Sequence, residues 1–140
     1  MLELLAPAGN LDAVIAAVQN GADAVYMGFG DGFNARRSAD NFTRESFAKA
    51  VRYCHIRGCK VYVTLNTLVG DREMEAAAAL AQQASDAGAD AILVQDLGLA
   101  RVLRAALPDI PLHASTQMSV HNLAGVEAAA EMGITRAVLA

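Results

Sequence analysis

The sequence predicts an α/β protein, a parallel β/α barrel of the TIM type of which about six strands are present. Three observations carry this. Short apolar runs alternate with longer helical stretches along all 140 residues. Two helix-to-strand seams nearly repeat, Asn20-Gly21-Ala22-Asp23-Ala24-Val25 and Ala87-Gly88-Ala89-Asp90-Ala91-Ile92, and Met132-Gly133-Ile134-Thr135-Arg136-Ala137-Val138 is a looser third copy. Each sets a helix-ending glycine two to four residues ahead of an apolar strand, and right-handed crossovers of this kind build parallel sheets. Finally, the turn after the first strand, Pro7-Ala8-Gly9-Asn10, is no dinucleotide fingerprint. Gly28, Gly30 and Gly32 miss the G-x-G-x-x-G spacing because Phe33 stands where the third glycine belongs. A barrel is therefore favoured over a doubly wound open sheet.

In order, residues 2–6 read as a strand and 11–20 as a helix capped by Asn10, with Asp12 in its first turn and Gly21 ending it. Residues 24–27 form the second strand, and a long loop covers 28–41. Thr43 caps a helix to about residue 57, with Ser46 where a capping box would want Glu; Gly58 ends it before a β-branched strand at 60–65. An Ala-rich helix at 71–87, closed by Gly88, leads to a strand at 91–94, a helix at 97–107 stopped by Pro108, and a strand at 112–114. A helix at 122–132, ended by Gly133, and a strand at 137–139 complete the pattern. A closed barrel has eight strands in roughly 250 residues. The six strands here leave about a quarter of it unbuilt, and Ala140 falls in or just after a strand with no covering helix. The expectation is a truncated barrel that self-associates through exposed strand edges.

Composition bounds the function. The chain is 54% hydrophobic and 19% charged, which marks a globular domain. A net charge of −4 argues against a module that coats nucleic acid nonspecifically, so any RNA contact has to be local. The N-terminus lacks a basic segment and meets Pro7 early, no run approaches the ~20 apolar residues of a membrane span, and the chain reads as cytoplasmic with no membrane partner. Cys54 and Cys59 fit neither a disulfide framework nor a zinc spacing and read as small buried hydrophobes.

The active face of such barrels lies at the carboxyl ends of the strands. Read in order, those ends supply Asn34 and Arg36, Asn66 and Thr67, Gln95 and Asp96, and the segment from His113 to Gln117. Alternation along a strand sets His113, Ser115 and Gln117 on one face, where they line the barrel mouth or form a structural hydrogen-bond network. A Ser nucleophile activated by His113 is the less favoured reading, because no G-x-S-x-G elbow is present. Asp96 is either a helix N-cap or a functional carboxylate, and Asn66 either caps a turn or contacts ligand. Arg36 or Arg37 either clamps an anion or faces solvent; Glu3 pairs with a cation or faces outward; His121 reads as surface. No protease, P-loop, EF-hand or H-E-x-x-H motif occurs.

Six motifs in order resemble the N-terminus of the peptidase U32 family over essentially the whole chain: Glu3 to Asn10, Gly21 to Gly28, Phe33-Asn34-Ala35-Arg36, Val63 to Leu68, Val94 to Gly98, and His113-Ala114-Ser115-Thr116-Gln117-Met118. The resemblance implies that residues 1–140 are the N-terminal part of a U32-type barrel domain. The family takes its name from collagenase-like proteases; other members are similar to oxygen-independent hydroxylases of tRNA, ribosomal RNA or a quinone precursor, in several cases with an iron–sulfur cluster. The motif forms here look closest to the branch with ribosomal RNA cytidine hydroxylases. The resemblance thus implies a full-length RNA hydroxylase, with a collagenase-like peptidase and a noncatalytic self-associating scaffold as alternatives, and with RNA or peptide as substrate. In the family, a strand like the one ending at Ala140 runs on into an Arg-Glu segment, and the cluster cysteines come later. Cys54 and Cys59 do not match them, so the resemblance implies no metal site within 1–140, with a cluster possible in the full-length protein and no activity for these residues alone.

Overall fold

The computed structural model describes residues 2–35 and 41–140. Six strands, β1 (Leu5–Pro7), β2 (Ala24–Met27), β3 (Lys60–Leu65), β4 (Ala91–Val94), β5 (Leu112–Ala114) and β6 (Ile134–Ala137), pair in sequence order as one parallel sheet. Between them run α1 (Leu11–Gln19), α2 (Arg44–His55), α3 (Met74–Asp86), α4 (Leu97–Ala106) and α5 (Leu123–Glu131). This is the expected β/α architecture. The sheet is not closed: among the described residues β1 pairs only with β2, and β6 only with β5.

Three helices end by the same device. After α1 the Ala22 N–H bonds the Ala17 carbonyl at 3.0 Å, after α2 Cys59 bonds Cys54 at 3.1 Å, and after α3 Ala89 bonds Ala84 at 3.0 Å. The intervening Gly21, Gly58 and Gly88 have φ of 88°, 72° and 98°, the left-handed region that closes this helix-ending motif. The motif brings the first and last residues of the bond into contact, which favours small apolar side chains at both. The two cysteines occupy the places that alanines fill at the ends of α1 and α3. Both are buried and free, and burial pushes the Cys54 thiol up to about 12. A cluster built on cysteine thiolates typically takes four of them; residues 1–140 hold only these two, both protonated and buried, so they do not fit one.

Two seam aspartates then fasten β2 to β1 and β4 to β3. Asp23 donates its N–H to Leu4 at 2.9 Å while its carboxylate accepts the Leu4 N–H at 2.8 Å. Asp90 repeats the clasp on Val61, with both bonds at 2.7 Å. In the third copy Thr135 donates its hydroxyl to the Leu112 carbonyl at 3.3 Å. That copy carries a register shift: Leu112 faces Ile134 but His113 faces Arg136, so Thr135 is an extra residue. A bulge of this kind re-aims the side chains beyond it, and here it turns Arg136 to the inside of the sheet.

Strand parity separates two layers. Val25, Val61, Val63, Ile92 and Leu112 face the helices in the main core, while Ala24, Tyr62, Ala91 and Leu93 pack together on the inner, concave face. Differences from the sequence reading have local causes. The first strand begins at Leu5 because the Leu4 backbone is taken by Asp23. The third helix begins at Met74, since Glu73 reaches back to the Gly70 N–H at 2.9 Å and holds the preceding residues in a turn. The last strand lies at Ile134–Ala137, where Thr135 and Arg136 interrupt the apolar run that strand reading relies on.

Replacing Asp90 by Ala leaves the Val61 N–H without its acceptor. The expected loss is about 1–3 kcal/mol, seen as a lower urea midpoint with an unchanged slope; Asp90→Asn, which keeps an acceptor oxygen, is expected to recover most of it.

Candidate functional site

The concave face holds two zones of opposite character. Toward the amino ends of the strands, Glu3 accepts hydrogen bonds from Arg136 at 2.5 Å and from the Tyr62 hydroxyl at 2.9 Å, with Lys60 at 3.5 Å. Glu3 precedes β1 and Arg136 lies in β6, so this ion pair joins the two unpaired margins of the sheet. The Arg136 hydrogen bond, helped by Tyr62 and Lys60 against the cost of burial, holds the Glu3 carboxyl down at about 2. Burial and the Glu3 hydrogen bond push Tyr62 up to about 12. His113 stands edge-on to the Tyr62 ring, centroids 4.9 Å apart at 82°, and burial together with the Arg136 charge pushes it down to about 4. It is a neutral imidazole at pH 7.

Toward the carboxyl ends lies a cleft of about 220 Å³. Its polar lining is Tyr26, Thr64, Asn66, Ser115, Thr116 and Gln117, its apolar walls are Leu5, Leu93 and Val138, and no charged side chain lines it among the described residues. Strand parity explains the set: Tyr26 continues Ala24 inward, Thr64 and Asn66 continue Tyr62, and Ser115 continues His113. Asn66 ties three segments. Its Oδ1 accepts the Ala35 N–H at 3.1 Å and its Nδ2 donates to Ser115 Oγ at 3.2 Å. Ser115 caps a short 3-10 turn, Thr116–Met118, and accepts the Gln117 N–H at 3.4 Å. The Thr64 hydroxyl is spent within the sheet on the Met27 carbonyl at 3.2 Å.

The sequence-predicted residues distribute unevenly over this geometry. Asn66, Ser115 and Gln117 meet in the cleft. Gln117 arrives there through the 3-10 turn, however, because β5 ends at Ala114 and the expected common strand face stops at Ser115. His113 is buried a layer below, against Tyr62. Ser115 takes its hydrogen bond from Asn66, so the two do not form a nucleophile–base pair. Asp96 caps α4, accepting the Leu99 N–H at 2.7 Å and the Val69 N–H at 3.5 Å. Gln95 follows β4, half-buried and outside the cleft lining. Asn34 donates to Asn41 at 3.1 Å behind Gly28, where any Cβ would strike both amides, so it braces the β2–α2 loop. Arg36, with Arg37, lies outside the described residues. His121 bonds the Ser119 carbonyl at 2.8 Å and is exposed.

Sequence reasoning missed Tyr26, Thr64, Lys60, Tyr62 and Arg136. Four of the five carried a readable signal: Tyr26, Lys60, Tyr62 and Thr64 are the polar or hydroxyl-bearing members of otherwise aliphatic strands, all of the same parity.

Two measurements check the lower zone. The His113 ring is expected to titrate near 4 by NMR rather than at its ordinary 6.5. Between those values the unfolded chain binds the proton and the folded one does not. The His113 contribution is therefore complete above 6.5 and declines as pH falls toward 4, a slope that His113→Gln is expected to remove from urea unfolding. In Arg136→Gln the Glu3 carboxyl is expected to return toward 4.5 from about 2, so this variant and its parent differ most in stability above pH 4.5 and converge as the pH falls toward 2.

Comparison with known proteins identifies the family and the fold. The chain is 41% identical over 139 residues to the 23S rRNA 5-hydroxycytidine C2501 synthase of Escherichia coli strain K12, covering 99% of this chain and 20% of that protein. It is 39% identical over 138 residues to tRNA hydroxylation protein P1 of Bacillus subtilis strain 168, covering 99% of this chain and 32% of that one. It is 36% identical over 121 residues to a collagenase of Porphyromonas gingivalis, covering 86% and 28%. The chain thus spans about a fifth to a third of the length of these relatives. Among solved structures, the U32 peptidase Mk0906 superposes with a TM-score of 0.80 at 17% identity, over 99% of this chain and 58% of that one, a likeness of fold. The model of peptidase family U32 matches residues 9–140, and the chain belongs to that family.

Proposed function

We propose that residues 1–140 supply the base-accepting side of the substrate pocket in an enzyme that hydroxylates RNA. The observation that carries this reading is the carboxyl-end cleft: concave, uncharged, walled by leucines and valine, with amide and hydroxyl groups converging on it. At about 220 Å³ it lies below the ~300 Å³ at which sites for drug-sized ligands begin, a volume suited to one ring. Enzymes that modify a base inside folded RNA extrude it into such a pocket. The relatives named for rRNA and tRNA hydroxylation share 41% and 39% identity across the whole chain, which supports the same class of substrate. A net charge of −4 supports a main backbone-binding surface elsewhere in the protein, and the same reading sets any iron–sulfur cluster outside residues 1–140. The reading also places the protein in the cytoplasm; no helix among the described residues is long and apolar enough to cross a membrane.

The peptidase alternative draws support from the collagenase relative, but among the described residues Ser115 has no base beside it and His113 is turned to Tyr62. The unpaired margins of β1 and β6 support self-association as a property of these residues in isolation; light scattering of the isolated chain is expected to show oligomers, and a clean monomer would remove that proposal.

Deleting the gene is expected to abolish one hydroxylated nucleoside in the total RNA of the strain, read by mass spectrometry of nucleoside digests and restored by the intact gene. Unchanged RNA, together with peptide cleavage by the purified full-length protein, would overturn the hydroxylase reading.

A further inference from the structure

The hydrogen-bond directions around Ser115 fix what its hydroxyl can do. The starting point is the Ala35 N–H, a group that only donates. It points at one end of the Asn66 amide at 3.1 Å, so that end is the oxygen and the NH2 lies toward Ser115. The NH2 also only donates, hence the 3.2 Å contact is Nδ2–H to Ser115 Oγ. A second donor, the Gln117 N–H, reaches the same oxygen at 3.4 Å. Both lone pairs of the hydroxyl are therefore engaged, and its proton has to be given elsewhere. No group among the described residues accepts it. Ser115 is only 4% exposed, and the open side of its oxygen is the cleft.

A buried donor without an acceptor is costly, and a ligand acceptor satisfies it. We infer that Ser115 is held as an obligate hydrogen-bond donor that selects a carbonyl oxygen on a small planar ring, and that Asn66 is the positioning residue that sets this polarity. The inference rests on the base-pocket reading for its ligand class, a pyrimidine, whose ring carries such a carbonyl. The uncharged lining favours a carbonyl over a carboxylate or phosphate, since no described cation stands in the cleft to meet a charge.

The test uses two probes, 2-pyrimidinone and pyrimidine, which differ in that carbonyl and the ring N–H that accompanies it, titrated into the purified chain while its backbone amide spectrum is followed by NMR. The parent is expected to bind 2-pyrimidinone about tenfold more tightly than pyrimidine, with the Ser115 and Gln117 amides moving. Ser115→Ala is expected to bind both alike, and Ser115→Thr, which keeps a hydroxyl, to restore the preference. Asn66→Asp is the sharper variant. A carboxylate still accepts the Ala35 N–H but now also accepts from Ser115, drawing the proton out of the cleft. The preference for the carbonyl probe is expected to vanish although Ser115 is untouched, an outcome that simple loss of packing does not produce.

A preference that survives in well-dispersed spectra of Ser115→Ala, or no preference in the parent, would overturn the inference, as would tighter binding of N-acetylglycine methylamide than of 2-pyrimidinone. Should Asn66→Asp give a collapsed spectrum, the Ala and Thr variants at 115 decide. Loss of the preference in these variants with unchanged cellular RNA would leave the donor standing and remove the RNA reading. The reverse result would do the opposite.

Discussion

Where each helix ends decides what each strand presents. The glycine at 21, 58 or 88 turns the chain by adopting a left-handed φ, and after Gly21 and Gly88 an aspartate clasp locks the strand's starting register against its neighbour. Side chains in a strand alternate, so an error of one residue at this seam would exchange the inner and outer faces along its whole length. The aspartate is what makes the register definite. Its backbone donates to the neighbouring strand and its carboxylate accepts back from the same residue, Leu4 for Asp23 and Val61 for Asp90. Because the seams repeat, the parity of the inner face is set before any inner residue is chosen. Tyr26 reaches the cleft as a consequence of the Asp23 clasp, and Thr64 and Asn66 follow in β3, whose start is held by the Lys60 N–H on the Asp23 carbonyl at 2.9 Å.

The inner face then separates support from recognition along the strand axis. Charge is concentrated at the amino ends, where Glu3 gathers Arg136, Lys60 and Tyr62. Isolated surface ion pairs contribute little, but this one is partly buried, shared among three donors, and bridges margins that no backbone hydrogen bond joins. The bulge between β5 and β6 makes it possible: without Thr135 as an extra residue, Arg136 would face the helices instead of Glu3. His113 packs on this assembly as a neutral ring. Above it the cleft carries no charge among the described residues, so its hydrogen bonds are not dominated by a nearby ion.

Much of this is legible in the sequence, and the failures share a physical origin. Strands 24–27, 60–65, 91–94 and 112–114 have the same boundaries in sequence and structure, since each is an apolar run preceded by a glycine turn or a proline. The caps at Asn10 and Thr43 are equally plain, because capping is local: a side-chain oxygen meets an N–H three residues on. What escapes is nonlocal. Glu3 and Arg136 are 133 positions apart, and neither carries a mark of the other. The displaced last strand is the same failure, for a strand whose polar residues face a partner across the sheet does not look like a strand. At the site, reading strand ends finds Asn66, Ser115 and Gln117 but does not separate them from Asn34 and Asp96, which occupy equivalent ends. The distinction lies in which polar atoms the backbone has already engaged.

Engaged atoms also bear on the chemistries that the family's name and its members suggest. A histidine two residues before a serine at a barrel's active face invites a hydrolytic interpretation, and a family named for peptidases reinforces it. Nucleophilic use of Ser115 would require a base to take its proton. The structure supplies the opposite arrangement: two donors converge on the oxygen, which lowers its electron density and leaves the proton as the group on offer. His113 cannot substitute, being engaged with Tyr62 one layer below. On the reading proposed above, Ser115 serves recognition rather than attack, and recognition of an uncharged ring is compatible with more than one reaction. The common frame of seams and clasps is thus separable from the reaction, because the groups that fix the frame lie at the amino ends and the polar cleft lies at the other.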